Sequence, residues 1–190
     1  KAAEGSGGST ALRSRRGAAW LSLAEVLIKS GAKEDPIAAF EAATADLTAA
    51  LEKKPDDMAV LRMRIRAYAG MSGHYGFTRQ VDQKLKFARL NEADCAVALE
   101  RTPDDAELLQ LLGNAEAAIA THWDIGTEER SKYIGLAEKH YHRSIELGNI
   151  LPWNDLAMLY WAIGNEGRAL SALKKFSLSL PKPDPDIEDQ

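Results

Sequence analysis

The chain has 190 residues, of which 45% are hydrophobic, and its formal net charge at pH 7 is −4. This length suffices for one sizeable core or one short repeat array. The mildly acidic balance argues against nucleic-acid binding, which depends on a basic surface. No run of about 18 apolar residues is present to span a membrane. Ala and Leu are abundant, which favours helix over strand.

The two ends differ in composition from the middle. Residues 1–9 are rich in Gly and Ser and lack the apolar stretch of a signal peptide, so we expect a flexible leader there. Residues 179–190 are rich in proline and acidic residues, and we expect a flexible, non-helical tail. Over residues 10–178, apolar residues recur at spacings of three and four, which predicts a helical domain.

Helix-breaking residues divide this domain into eight predicted helices, paired as four hairpins. Glycine ends several segments, as at Gly31 and Gly164, and Asp35-Pro36 combines a capping residue with a first-turn proline. The third segment loses its pattern over residues 70–76. The expected helices span about 10–31, 36–54, 58–70, 78–101, 106–122, 127–148, 152–163 and 166–176.

Two stretches of the sequence are near copies of each other. ALEKKPDDMAVL at residues 50–61 and ALERTPDDAELL at residues 98–109 lie 48 residues apart, since 98 − 50 = 48. Self-similarity of this kind is typical of repeat architectures. One helix hairpin cannot bury both of its apolar faces, whereas stacked hairpins form a continuous core.

The repeated units resemble the tetratricopeptide repeat family. That family's motif has a large residue, a Leu followed by a small residue, an aromatic residue and a turn glycine on its first helix. WNDLAMLYWAIGNEGRALSAL matches with Trp153, Leu156-Ala157, Tyr160 and Gly164, and WLSLAEVLIKSG matches the first half of the motif. The resemblance covers about residues 17–176, although the first three repeats exceed the usual length of about 34 residues. It implies an all-α fold, an α-solenoid of antiparallel helix hairpins.

The resemblance also implies a concave groove lined by the first helix of each pair. The motif positions predict the side chains that face it, which are Leu21, Glu25, Arg62, Arg66, Gln110, Asn114, Asn154, Met158 and Trp161. Arg62 and Arg66 are four residues apart and therefore share a helix face. Their guanidinium groups beside amides suit a carboxylate, which looks like the carboxylate clamp of chaperone-binding members of the family, without the lysines of that clamp. The alternative is a solvated polar helix face.

The segment GHYGF at residues 73–77 interrupts the helical pattern. Its two glycines allow unusual backbone conformations, so we expect Tyr75 and Phe77 in an irregular turn. There they either cap the stack or form a contact surface for a partner.

The sequence shows no catalytic or metal-binding pattern. His140 and His142 point to different faces of a helix, and Glu138 with His142 supplies only two ligands, fewer than a metal site requires. Nucleophile–base patterns and phosphate-binding glycine loops are absent. We therefore expect no enzyme activity, no cofactor and no bound metal. Cys95 lies on an apolar helix face and is expected in the core.

The leading prediction is a non-catalytic scaffold or adaptor that binds a peptide or partner protein in the concave groove. The expected ligand carries an acidic or C-terminal carboxylate segment, and because the chain's own residues 184–190 have that chemistry, self-association is a further option. The alternatives are a small-molecule-binding or transporter-accessory repeat protein and a regulatory domain of a larger chain. A closed apolar pocket of about 300–1,000 Å³ would indicate a small-molecule site. The single cysteine slightly favours the cytoplasm without fixing the compartment.

Overall fold

The computed structural model describes the backbone of residues 2–181 and the side chains of residues 9–181. This part of the chain forms eight helices and no strand. The helices are α1 (Ala2–Ser30), α2 (Ile37–Leu51), α3 (Met58–Phe77), α4 (Val81–Arg101), α5 (Ala106–Ala120), α6 (Thr127–Glu146), α7 (Pro152–Ala162) and α8 (Glu166–Ser179). Each helix packs against the next one along the chain. The prediction of an all-α fold of about eight helices is confirmed.

The repeated Pro-Asp-Asp sequence starts two helices in the same way. Asp57 Oδ1 accepts a hydrogen bond from the backbone N–H of Val60 at 3.3 Å, and Asp105 Oδ1 accepts one from that of Leu108 at 3.0 Å. A side-chain acceptor at this position satisfies a backbone donor that has no partner inside the helix. The internal repeat therefore marks equivalent starts of α3 and α5.

Three glycines end helices where the sequence predicts them. Gly31, Gly148 and Gly164 have φ angles of 60°, 94° and 77°. This left-handed conformation is accessible to glycine without the steric cost that other residues incur, and it terminates a helix efficiently. These turns allow each following helix to reverse direction.

The hairpins stack into a curved array. The backbones of α1 and α3, of α3 and α5, and of α5 and α7 approach each other closely, whereas within residues 2–181 the second helices of successive hairpins meet only through side chains, as where Arg89 of α4 pairs with Glu129 of α6. The first helices therefore lie closer together than the second helices, and the surface that they form is concave. This arrangement is a helical-repeat solenoid, as predicted, and its odd-numbered helices line the groove.

Close approach of neighbouring helices depends on small residues opposite large ones. A Cβ atom at Gly113 of α5 would lie 2.7 Å from the ring of Tyr141 of α6, and one at Gly70 of α3 would lie 2.4 Å from the ring of Phe40 of α2. Both rings are consequently buried almost completely. Cys95 is also fully buried, which confirms its expected place in the core, and burial raises the pKa of its thiol.

α3 is longer than its sequence pattern predicts. It continues through the glycines at positions 70, 73 and 76 to Phe77, so the prediction of an irregular turn at residues 73–77 is wrong. Packing overrides the low helix propensity of glycine here. The ring of Tyr75 stacks on that of Phe87 of α4, with centroids 5.6 Å apart, which holds the last turns of α3 in place.

The terminal helices also differ in their bounds. α1 begins at Ala2 rather than near Thr10, and α8 ends at Ser179 rather than near Phe176. Residues 182–190, which make up most of the predicted acidic tail, lie outside the described residues.

The register of α1 departs from the repeat motif. Leu21 is buried, although the motif places it in the groove, whereas Trp20 and Leu23 are partly exposed. Within the described residues α1 packs only against α2 and α3. One side of α1 is therefore left uncovered, and this is the side that carries Trp20 and Leu23.

Candidate binding groove

One side of α7 is exposed, and it carries three of the residues that the sequence motif assigns to the groove. Met158 is 64% and Trp161 65% exposed, and Asn154 is exposed on the same helix. Leu156 and Tyr160 are buried on the opposite side of α7. α7 thus presents two large apolar side chains and one amide to the groove.

Arg62 and Arg66 lie on α3 and are both engaged in ion pairs. Arg62 pairs with Asp105, which caps α5, and Arg66 Nη2 lies 2.6 Å from Glu25 Oε1 of α1. Each pair joins neighbouring first helices of the array. Both guanidinium charges are therefore compensated within the chain.

Gln110 and Asn114 of α5 form hydrogen bonds to the neighbouring helices. Gln110 Nε2 donates to Asp155 Oδ2 of α7 at 2.7 Å, and the Tyr141 hydroxyl of α6 donates to Asn114 Oδ1 at 2.8 Å. Among the described residues, nothing accepts a hydrogen bond from Asn114 Nδ2. Gln110 is thus occupied within the fold, whereas Asn114 retains one donor group.

A cavity of about 410 Å³ opens between the C-terminal halves of α3, α5 and α7. It brings the predicted residues Asn114 and Met158 together with side chains that the sequence did not indicate. The second helices contribute Lys84 and Asn91 of α4 and Tyr141 of α6. Since these helices lie behind the first helices, their side chains form the floor of the cavity, and glycine and alanine of α3 and α5 leave space above them.

Lys84 is the cationic side chain of this cavity. Its Nζ donates a hydrogen bond to Thr121 Oγ1 at 3.1 Å, and no carboxylate of the described residues lies within ion-pair distance of it. Burial lowers the pKa of Lys84. An ammonium group in such surroundings lacks both full hydration and a counter-charge.

Asp155 is the acidic side chain of the same cavity. Burial raises the pKa of its carboxyl, and the hydrogen bond from Gln110 acts in the opposite direction. Asp155 and Lys84 do not form an ion pair with each other. The cavity therefore offers a cationic donor and an anionic acceptor at separate positions.

A sequence signal for Lys84 exists although the repeat motif does not include it. Phe87, Ala88, Asn91, Cys95 and Ala98 are the buried residues of α4, and Lys84 precedes them at helical spacing. A lysine on an otherwise buried stripe indicates an unusual environment. Asp155 carries no comparable signal, because a polar residue early in a helix is common.

Tyr75 and Phe77, the two aromatic residues predicted to cap the stack or bind a partner, have different environments. Tyr75 packs against the core, whereas Phe77 is 89% exposed at the end of α3. Trp123, which follows α5, is also largely exposed. Each of the helices α3, α5 and α7 therefore has one exposed aromatic side chain near its C-terminal end, namely Phe77, Trp123 and Trp161.

The histidine and acidic residues considered as metal ligands take part in other contacts. Glu138 lies 2.7 Å from Arg168, and the His142 ring packs edge-on against Trp153. In the described part of the chain, no three His, Cys, Asp or Glu side chains are grouped so that they could hold a metal ion. None of the described helices has the length and apolar character needed to cross a membrane.

Comparison with protein-family models and with curated protein sequences gives no match. The resemblance to tetratricopeptide repeats therefore remains a prediction from the motif positions in the sequence.

Proposed function

We propose that this protein is a non-catalytic scaffold of the tetratricopeptide type that binds an extended peptide segment of a partner protein in its concave groove. The main support is the cavity of about 410 Å³, which opens into the groove and combines apolar surface with hydrogen-bonding groups. An extended peptide presents apolar side chains together with backbone N–H and C=O groups, so its binding site needs both kinds of surface.

The chemistry of the cavity and of the exposed side of α7 beside it fits such a ligand. Met158 and Trp161 supply exposed apolar contact area, and aromatic residues and methionine are enriched at protein interfaces. Asp155 supplies an acceptor for peptide N–H groups, and Asn114 Nδ2 supplies a donor for peptide carbonyls. The bound segment would therefore lie mainly along α5 and α7.

Arg62 and Arg66 extend the same surface toward α1. A ligand carboxylate at either guanidinium group would have to compete with Asp105 or Glu25. We therefore propose that these arginines contribute flanking charge, and that the principal contacts are made in the half of the groove formed by α5 and α7.

A small-molecule ligand is the alternative, because the cavity volume lies within the usual range of about 300–1,000 Å³. Most small-molecule sites are enclosed and predominantly apolar. This cavity opens into the groove and contains Lys84 and Asp155, features that support a peptide more strongly.

The proposal can be tested with peptides selected from a phage-displayed random library on the full-length protein. The affinity of a selected peptide would be compared among the wild type, Met158→Asp in the groove and Leu170→Asp on α8. Both replaced side chains are 64% exposed, so the two variants should be equally compatible with folding. Met158→Asp should weaken binding about tenfold or more, whereas Leu170→Asp should not change it.

Two results would contradict the proposal. The first is that no peptide is enriched over selection on an unrelated helical protein. The second is that Met158→Asp and Leu170→Asp leave the affinity equally unchanged, which would place the bound peptide outside the groove.

A further inference from the structure

Lys84 differs from three arginines of α3, each of which has a carboxylate partner. Arg64 lies 2.7 Å from Asp94, Arg66 lies 2.6 Å from Glu25, and Arg62 pairs with Asp105. Lys84 Nζ has only the neutral hydroxyl of Thr121. Lys84 therefore lacks the counter-charge that these three arginines have.

The surroundings of Lys84 leave room for a ligand group. A Cβ atom at Gly76 would lie 3.4 Å from Lys84 Cδ, so the aliphatic part of the lysine runs along the bare backbone of α3. A Cβ atom at Gly73, one turn earlier, would meet no other atom within 4 Å. Because neither Gly73 nor Gly76 has a side chain, this part of α3 does not block access from the groove to the ammonium group of Lys84.

An ammonium group that is partly removed from water without an anion destabilises the fold that contains it. Thr121 does not require this lysine, because its hydroxyl donates to the backbone carbonyl of Ala117 at 2.8 Å. The hydrogen bond from Lys84 is therefore not needed to satisfy the Thr121 hydroxyl. A bound anion would supply the missing counter-charge.

We infer that Lys84, with the side-chain amide of Asn114, binds the carboxylate of an Asp or Glu side chain of the peptide held in the groove; this inference rests on the function proposed above. Lys84 belongs to the floor of the cavity, which a side chain can reach while the peptide backbone continues along the open groove. Its positive charge complements a carboxylate, and Asn114 Nδ2 can complete the hydrogen bonding.

The position of Asp155 favours a peptide as the source of that carboxylate. Asp155 lines the same cavity, and its oxygens can accept backbone N–H groups of a peptide on either side of the acidic residue. Any ligand carboxylate is repelled by Asp155, and a simple carboxylate such as a fatty acid offers no N–H donor to offset that repulsion, whereas a peptide backbone does. The predicted ligand is therefore an extended peptide with one acidic side chain flanked by apolar residues that contact Met158 and Trp161.

The test combines random-peptide selection with the variants Lys84→Met and Lys86→Met. Methionine keeps the aliphatic bulk of lysine, and Lys86 is an exposed lysine two positions along the same helix, so both variants lose the same charge. Selection on the wild type should enrich peptides that share an Asp or Glu. Lys84→Met should weaken the binding of such a peptide about ten- to a hundredfold, as expected for a charge-assisted contact, and Lys86→Met should not.

A peptide in which the shared acid is replaced by its amide completes a double-mutant cycle. The acidic and amide peptides should differ strongly in affinity for the wild type and only slightly for Lys84→Met, because the interaction is then already absent. The melting temperature of Lys84→Met without peptide should equal or exceed that of the wild type, a result that a purely structural role of Lys84 would not produce.

The outcomes separate this inference from the function on which it rests. One outcome is that Met158→Asp weakens peptide binding, but the selected peptides share no Asp or Glu, or bind the wild type and Lys84→Met equally well. The proposed peptide groove is then supported, and the inferred role of Lys84 is wrong. A clear fall in the melting temperature of Lys84→Met would also overturn it. If no peptide is enriched at all, the proposed function fails and this inference fails with it.

Discussion

Glu116 is a carboxyl group that the fold buries almost completely. It belongs to α5, and its Oε2 lies 2.7 Å from Nδ1 of His140 on α6. Burial raises the pKa of Glu116, while the hydrogen bond and the charge of His140 oppose that shift and Glu92 adds to it. A polar contact between α5 and α6 is thus part of the interior of the array.

The raised pKa of Glu116 predicts a pH-dependent stability. Because the folded protein holds this proton more tightly than the unfolded chain, the contribution of Glu116 to the free energy of unfolding falls as the pH rises from about 4.5 through the raised pKa. Glu116→Gln removes this titration. The stability of the variant relative to the wild type should therefore increase across that window and become constant above it.

Urea unfolding of Glu116→Gln at a series of pH values from acid to neutral would measure this effect. Glu100→Gln, on an exposed part of α4, is the matched control and should differ from the wild type by the same amount at every pH. A stability difference for Glu116→Gln that does not change with pH would show that Glu116 titrates alike in the folded and unfolded protein.

At the scale of the element, Asp105 has two roles at the start of α5. Its Oδ1 accepts the backbone N–H of Leu108, and its carboxylate pairs with Arg62 of α3. The first interaction stabilises the helix end, and the second links two neighbouring hairpins. A substitution that keeps the side-chain oxygen at position 105 but removes its negative charge can distinguish the two roles.

Asp105→Ala should lower the free energy of unfolding by about 1–2 kcal/mol, because it removes a helix cap. Asp105→Asn keeps a good capping acceptor and loses only the charge, so it should cost less than about 1 kcal/mol, the usual range for a partly exposed ion pair. Both values can be measured by urea unfolding. If Asp105→Asn is as destabilising as Asp105→Ala, the pair with Arg62 dominates and the cap is unimportant.

α3 shows why an element can exceed its local sequence pattern. Glycines at positions 70, 73 and 76 have low helix propensity, and the pattern predicted an end near Gly70. Gly70 instead accommodates the ring of Phe40, and the stack of Tyr75 on Phe87 stabilises the final turns. Gly73 and Gly76 leave the wall beside Lys84 open, so two of the residues that obscured the helix in the sequence also shape the cavity.

For the whole molecule, the stacked arrangement predicts an uneven distribution of stability. Hairpin α3–α4 and hairpin α5–α6 each contact two neighbouring hairpins, whereas the described parts of α1–α2 and α7–α8 each contact one. In a linear array, stability depends on the interfaces between neighbours. The central hairpins should therefore be the last to open.

Native-state hydrogen exchange would test this distribution. Backbone amides of α4 and α5 should exchange most slowly, and those of α8 should exchange fastest among the helices beyond α1, because few residues of α8 are buried. Equal protection from α2 to α8 would mean that the array opens as a single cooperative unit.

Much of the architecture could be read from local signals. The number of helices, their pairing and most of their ends follow from glycines such as Gly31 and Gly164 and from the aspartates that cap α3 and α5. These signals act within a few residues, since capping and left-handed turns depend on the adjacent backbone. The exposure of Met158 and Trp161 was likewise predictable, because the motif fixes which face of α7 packs against its neighbours.

The tertiary structure decided which charges are compensated and where the cavity lies. Arg62 and Arg66 are a free cationic pair in the sequence, yet the residues that neutralise them, Asp105 and Glu25, are about 40 positions away. Lys84 is left without such a partner because α4 places it on the floor of the groove, where no carboxylate of the described residues comes within ion-pair distance. Contacts of this kind depend on how the hairpins stack, and short-range sequence patterns carry no information about side chains that meet across different helices.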